Sequence, residues 1–340
     1  MGDVIHALPA VNALRLALPD VEIGWVIEER WSELLCAKGY SREGPLSDQR
    51  PLASRVHPVR TQSWRRNLFA PATWKDIQSC GRELREARYD AALDMQGSIR
   101  SAVVARWSGA RSVVGFADPW ERPARLFYNK KIQCLGTHVI EQNFALVREW
   151  TGKAIPVPDA ILPLDLAAEA WCDRYCIGLR SAKIVLMNPG AGWGAKQWPT
   201  ERYGQVAQEL VSDGCTVLVN YGPGEESLAR SVEASSGGTA CPVECSLGEL
   251  IALTRRAALF VGGDTGPLHL AAALKIPTVA MFGPTNPARN GPFGTRSVVL
   301  RSPDSATSHK RRAETDPGMF HITKEQVLTA ARSLLQGDAA

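Results

Sequence analysis

The sequence predicts an α/β protein made of parallel sheets covered by helices. Three observations carry this. Apolar runs of strand length alternate with helix-length stretches along nearly the whole chain. Several strand runs end in glycine-containing turns that open a helix, as at Asn188-Pro189-Gly190, Gly222-Pro223-Gly224 and Gly262-Gly263-Asp264. The alternation also restarts after a break rich in proline (Pro156, Pro158, Pro163), giving two series of similar size. Two doubly wound domains with parallel sheets facing a central cleft are expected.

In the first series, residues 8–18 form an apolar-periodic helix and residues 21–27 a strand. Residues 89–95 and 112–116 are strands, and residues 98–107 and 138–150 are helices. The segment 151–180 begins with prolines and then turns helical. The second series has strands at 183–187, 215–221, 257–261 and 277–282. Helices are expected at 201–212, from 225, at 247–255 and from 268. Residues 302–317 are polar and expected to be a loop, and the helix at 324–335 is compatible with packing on either domain. The boundaries expected are 1–160, a linker at 161–180, 181–322, and a C-terminal helix and tail at 323–340. A doubly wound domain opens on a strand that feeds its first helix, yet Gly2-Asp3 already occupies the turn before the helix. The first N-terminal strand is therefore missing from the chain as written, and a late start is expected to account for it.

The 340 residues suffice for two domains, and 45% hydrophobic with 22% charged content suits a soluble globular chain. No apolar run reaches the roughly 18 residues of a membrane span. The first residues lack the basic and apolar regions of a secretory leader. A formal charge of +4 is too mild to imply nucleic acid. The eight cysteines contain no C-x-x-C pair and no zinc set with His, so they read as reduced structural thiols.

Five stretches carry chemistry. At Asp264-Thr265-Gly266 a strand ends and a helix begins, with His269 in the first turn. The free amides and positive end of such a helix suit a diphosphate, although Asp264 or Thr265 equally suits an ordinary N-cap. The loop Asn188-Pro189-Gly190-Ala191-Gly192-Trp193-Gly194-Ala195-Lys196 offers close backbone approach and a cation for phosphate, while many plain strand–helix loops look alike. Glu225, after Gly222-Pro223-Gly224, is placed to accept a sugar or ribose hydroxyl, or simply to start a helix. Asp3 is either a cap or a general base on an acceptor hydroxyl, and His6 lies one turn on. A basic and aromatic group (Arg60, Trp64, Arg65, Arg66 and Trp74, then Trp120, Arg122, Arg125, Lys130, Lys131) suits an anionic acceptor at a membrane surface or a solvated face. No D-x-D occurs, which leaves Lys196, His269 and helix amides to take up leaving-group charge without a metal.

Together these motifs resemble the lipopolysaccharide heptosyltransferases, glycosyltransferase family 9. The resemblance rests on Met1-Gly2-Asp3-Val4-Ile5-His6-Ala7-Leu8-Pro9, Asp94-Met95-Gln96-Gly97, Leu126-Phe127-Tyr128-Asn129-Lys130-Lys131, Lys196-Gln197-Trp198-Pro199 and Asp264-Thr265-Gly266-Pro267-Leu268-His269, which occur in family order. It is nearest to heptosyltransferase I, through Gly24-Trp25-Val26-Ile27-Glu28-Glu29 and the Leu-Phe-Tyr-Asn run. It implies a GT-B fold, with the acceptor on the N-terminal domain and the donor on the C-terminal one. It implies metal-independent, inverting transfer of heptose from ADP-L-glycero-D-manno-heptose to the Kdo of Kdo2-lipid A. The expected location is the cytoplasm, peripheral on the inner membrane of a Gram-negative bacterium, with no cofactor and no nucleic acid.

By the same resemblance Asp3 is the catalytic base. Ala191, Gly192, Lys196, Glu225, Cys245, Asp264, Thr265, Gly266 and His269 are donor-binding positions. Arg65, Arg66, Gln96, Arg100 and Arg122 are the acceptor-binding residues. Ala191 and Gly192 replace two threonines of some members, Cys245 a methionine near the adenine, and Arg100 a common lysine. Domain closure is expected to bring Asp3 to the Kdo hydroxyl. The alternatives are heptosyltransferase II or another GT-B sugar transferase, and a non-catalytic nucleotide-sugar binder.

Overall fold

A computed structural model describes residues 1–67, 69–179, 181, 183–308, 312 and 314–337. Parts of the expected 302–317 loop, the last linker residue Arg180 and tail residues 338–340 lie outside the described residues. The chain divides into two compact units whose boundary in sequence falls between Pro163 and Leu164.

The first unit runs α1 (Gly2–Ala17), β1 (Gly24–Glu28), a 3₁₀ segment (Glu29–Leu34), β2 (Arg55–Val59), α2 (Thr61–Arg66) and α3 (Pro71–Glu86). It continues with β3 (Ala91–Leu93), α4 (Ile99–Trp107), β4 (Ser112–Phe116), a 3₁₀ segment (Arg122–Phe127), β5 (Lys130–Ile132) and α5 (Val139–Thr151). All its strand pairs are parallel. They form two sheets, β1–β2 and β3–β4–β5. Among the described residues no strand pairs one of these sheets with the other.

Helix α1 corrects the expectation of a helix from residue 8. It starts at Gly2, so Gly2 and Asp3 lie in its first turn rather than in a preceding one. The reason is burial on every side: Ile5, Ala7, Leu8, Ala10, Val11 and Ala13 are all buried, so packing rather than a single apolar stripe holds the helix. Helices α4 and α5 start where their capping residues dictate. The Ser98 hydroxyl accepts from Ser101 N, and the His138 ring accepts from Ile140 N while Glu141 reaches back.

The second unit runs α6 (Leu166–Ile177), β6 (Ile184–Asn188), a 3₁₀ turn (Gly194–Lys196), α7 (Thr200–Ser212), β7 (Thr216–Tyr221), α8 (Glu226–Ser235) and β8 (Cys241–Glu244). There follow α9 (Leu247–Arg255), β9 (Ala257–Gly263), α10 (Gly266–Ala273), β10 (Thr278–Phe282), α11 (Pro287–Asn290), β11 (Ser297–Arg301), α12 (Pro317–His321) and α13 (Lys324–Gln336). Its six strands are parallel in the order β11-β10-β9-β6-β7-β8. Counted from the first strand this is 3-2-1-4-5-6, the dinucleotide-binding order, with its switch point between β6 and β9.

Strands β6 and β10 are buried throughout, which explains their apolar sequence apart from Asn188 at the end of β6 and Thr278 at the start of β10. The main core lies between these strands and α7, α8 and α13, with Val185, Leu210, Val217, Leu259, Val279, Val327 and Ala331 fully or almost fully buried. Helix α13, free by sequence to join either domain, thus belongs to the second unit. Helix α6 is tied to the end of α9 in the same unit. Arg255 Nη1 and Arg256 Nη1 reach Glu169 at 2.5 and 2.6 Å, and Arg256 Nη2 reaches Asp173 at 2.5 Å.

Candidate active site

In the second unit the loops after β6 and β9 flank the switch point, where ligands of this sheet type sit. Two glycines let these loops touch. A Cβ on Gly263 would lie 3.0 Å from the Lys196 carbonyl, and one on Gly283 3.2 Å from the Ala195 carbonyl. The 3₁₀ turn carrying Lys196 therefore rests directly on the ends of β9 and β10. Trp198, 2% exposed, locks the following segment by donating from Nε1 to the Ile322 carbonyl at 2.9 Å.

This places Lys196 Nζ 2.5 Å from Asp264 Oδ2 and 4.9 Å from the centre of the Trp193 ring. The other Asp264 oxygen lies 3.1 Å from His269 Nε2, one turn into α10. Burial alone would raise the Asp264 carboxyl. The His269 and Lys196 partners override it and hold the group well below the usual carboxylate range. The cluster is a buried anion between two nitrogen groups, and both carboxylate oxygens are engaged.

Thr265 is the N-cap of α10, but its hydroxyl turns back to the Gly263 carbonyl at 3.3 Å and makes no side-chain cap. The capping role that the sequence allowed Asp264 or Thr265 is thus not taken by either side chain. Thr265 and Gly266 stay partly exposed at the start of α10, while Pro267 carries no N–H and His269 N already donates to the Thr265 carbonyl at 3.3 Å.

Glu225 precedes α8, and its Oε2 accepts from Gly222 N at 3.0 Å. A Cβ on Gly190 would lie 2.3–2.5 Å from the Glu225 carboxylate atoms, so the side chain spans from the end of β7 to the end of β6. Cys245 sits beyond β8, where Asn220 Nδ2 meets its Sγ at 3.2 Å, and burial pushes its thiol up to about 12. Asn220 in turn pairs with Asn188, whose Nδ2 donates to the Asn220 carbonyl at 3.0 Å. Ala191 and Gly192 lie in the loop after β6, half-buried and exposed respectively. Asn220 carries no signal as a site residue in the sequence, and Asn188 and Trp193 enter there only as members of the glycine-rich loop. Only the parallel register that aligns the ends of β6 and β7 brings the two asparagines together.

In the first unit Asp3 is exposed in the first turn of α1, and Gln96 Nε2 donates to its Oδ2 at 3.3 Å. Arg100, on the first turn of α4, donates from Nη1 to Thr61 Oγ1 at 3.1 Å, and the Thr61 hydroxyl donates to Glu28. Arg65 and Arg66 close α2 and are exposed. Arg122 opens the 3₁₀ segment 122–127, exposed and 4.0 Å from Asp118. The structure thus joins Asp3 to Gln96 and Arg100 to Thr61, while Arg65 and Arg66 lie at the far end of the helix that Thr61 opens and Arg122 on the 3₁₀ segment 122–127. Thr61 is not singled out by the sequence, and Glu28 enters there only as part of the run 24–29. Among the described residues no group of three or more His, Cys, Asp or Glu side chains is arranged to hold a metal ion.

Residues 77–319 match the model of glycosyltransferase family 9 (heptosyltransferase). The chain is 29% identical to lipopolysaccharide heptosyltransferase 1 of Pseudomonas aeruginosa, covering 98% of this chain and 91% of that protein. It superposes on the E. coli heptosyltransferase WaaC with ADP at a TM-score of 0.76 and 24% identity, over 98% of this chain and 97% of that one. It superposes on E. coli ADP-heptose lps heptosyltransferase II at 0.77 and 21% identity, over 100% and 97%. These likenesses show the GT-B fold, and the family match over most of the chain makes it an enzyme of known class: the chain belongs to glycosyltransferase family 9, the heptosyltransferases.

Proposed function

We propose that this glycosyltransferase moves L-glycero-D-manno-heptose from ADP-heptose to the Kdo of Kdo2-lipid A, in the inner core of lipopolysaccharide. The observation that carries the donor half is the Lys196–Asp264–His269 cluster beside the uncapped start of α10. A cation and a helix start at the switch point are what a nucleoside diphosphate needs. The carboxylate of Glu225, between the ends of β6 and β7, suits a ribose hydroxyl. The relatives named for heptose transfer to lipopolysaccharide supply the sugar and the acceptor class.

Asp3 is the base in this reading. Its carboxylate takes the proton of the acceptor hydroxyl as that oxygen bonds to the anomeric carbon. The bond to ADP breaks on the opposite face, and the configuration inverts, as for single displacement at any sugar carbon. Charge on the departing diphosphate is met by Lys196 and the α10 amides, pre-placed donors that do this work without a metal. Arg100, Arg65, Arg66 and Arg122 are assigned to the anionic acceptor. The exposed Phe69, Trp74, Trp120 and Leu126, together with exposed Arg65, Arg66, Arg122, Arg125, Lys130 and Lys131, support a peripheral site on the cytoplasmic face of the inner membrane.

The test is product mass from ADP-heptose and Kdo2-lipid A, with other nucleotide sugars and the once-heptosylated acceptor as controls. One heptose added to Kdo2-lipid A is expected. Transfer only to the heptosylated acceptor would move the assignment to heptosyltransferase II. Binding of ADP-heptose with no transfer to any acceptor would move it to a nucleotide-sugar binder. Asp3→Ala is expected to lower turnover by roughly 10²–10⁴-fold while ADP affinity holds.

A further inference from the structure

The turn Asp94-Met95-Gln96-Gly97 is held by an unusually complete set of bonds to one buried carboxylate. Asp94 is 4% exposed. Its Oδ1 accepts from Gln96 N at 2.9 Å and Gly97 N at 3.1 Å. Its Oδ2 accepts from Ser101 Oγ at 2.9 Å and Tyr128 OH at 2.6 Å. Burial and the Asp94 charge push the Tyr128 hydroxyl far above its ordinary range, so it stays a donor at every working pH.

Gly97 adopts φ +70°, and a Cβ there would meet Trp120 N at 3.1 Å and Pro119 Cβ at 3.2 Å. The Gly97 carbonyl is taken by Glu121 N at 2.9 Å. The turn is therefore fixed from both sides, and its one long, exposed side chain is Gln96. That side chain ends on Asp3 Oδ2 at 3.3 Å. Asp3 itself rides on a helix fixed by its burial and by Asn143 Nδ2, which donates to the His6 carbonyl at 3.2 Å.

From this geometry we propose that Gln96 is a positioning residue for the Asp3 carboxylate, and that Asp94 and Tyr128 are the clamp that aims Gln96. The proposal rests on the reading of Asp3 as the base. An N–H donated to Oδ2 fixes the rotation of the carboxylate and leaves Oδ1 to receive the hydroxyl proton. A carboxylate at the first turn of a helix, with no neighbour to orient it, would spread over several rotamers. Pre-orientation of a reacting group is worth large rate factors, because a misplacement of about 1 Å costs roughly 10²-fold.

The experiment measures kcat, both KM values and ADP affinity for Gln96→Ala, Gln96→Glu, Gln96→Lys, Tyr128→Phe and Asp3→Asn in the full chain. Gln96→Ala and Gln96→Glu are expected to lower kcat roughly tenfold to a hundredfold, with KM values and ADP affinity little changed. Gln96→Lys restores an N–H donor and is expected to recover most of kcat. Tyr128→Phe is expected to show a smaller loss of the same kind. A rise in acceptor KM with unchanged kcat would mean that Gln96 binds the acceptor, and the proposal fails. If Asp3→Asn is inactive while the Gln96 variants keep kcat, the proposal fails but the base assignment stands. If Asp3→Asn turns over like the unaltered chain, the base assignment itself fails.

Discussion

Asp264 Oδ2 lies 2.5 Å from Lys196 Nζ, across 68 residues of sequence, and both side chains are largely buried. The loop after β6 and the turn after β9 are thereby joined into one site. The pair sets the site's charge before any ligand arrives: Lys196 is held in place by an anion that also holds His269.

Asp264→Asn is expected to destabilise the second unit by about 3 kcal/mol, because the cation of a buried pair is left uncompensated. Its folded carboxyl lies below the ordinary carboxylate value, so its contribution is complete above that value, about pH 4. The contribution fades as pH falls through the depressed value in the folded state. The gap in melting temperature between the unaltered chain and Asp264→Asn, followed by calorimetry, is therefore expected to be constant above about pH 4 and to shrink in stronger acid. A gap that widens in acid contradicts the pairing.

Lys196→Met tests the cation separately. A fall in kcat of roughly 10²–10³-fold is expected, the cost of losing one pre-placed donor at a developing charge. Combined with Asp264→Asn, the loss of stability is expected to be clearly smaller than the sum of the single losses, since the double variant leaves neither charge stranded. Additive losses would show that the two side chains do not act as a pair.

Gly190→Ala puts a methyl 2.3–2.5 Å from the Glu225 carboxylate atoms, so Glu225 has to leave its seat against Gly222 N. Weaker ADP binding is expected, by roughly tenfold, the worth of one hydrogen bond to a charged group. Calorimetric titration with ADP checks this, with adenine and inorganic diphosphate as partial ligands. Neither partial ligand reports on the ribose, so their affinities are expected to hold.

Trp198→Ala removes a buried ring that meets Tyr203 edge-on at 4.9 Å and anchors the chain at Ile322. A loss of about 3–5 kcal/mol is expected from the cavity alone. Urea unfolding gives the number, and a loss under about 1 kcal/mol would mean that the β6–α7 loop repacks freely.

Much of the candidate donor site is legible in the sequence. The turn at 264–266, the lysine at 196 and the glutamate at 225 each follow an apolar strand, and that local grammar survives in β6, β7 and β9. Helix starts were legible where a capping side chain marks them, as at Ser98 and Ser246. Helix α1 was misplaced at its start because burial all round erases the periodicity that marks a surface helix. Thr61 and Asn220 carry no signal in the sequence, and Glu28 and Asn188 show there only as members of longer motifs, since a polar residue gains its role from a partner distant in the chain.

The sequence by itself determined the fold class, the family and the ends of strands where chemistry collects. These are properties of short windows: apolar period, glycine at a close approach, a charged side chain after a strand. Only the tertiary structure decided the order β11-β10-β9-β6-β7-β8, the capture of Lys196 by Asp264, the turn of the Thr265 hydroxyl away from its helix, and the reach of Gln96 to Asp3. Such contacts are chosen by long-range strand pairing, which places residues far apart in sequence within hydrogen-bond distance and which no local pattern encodes.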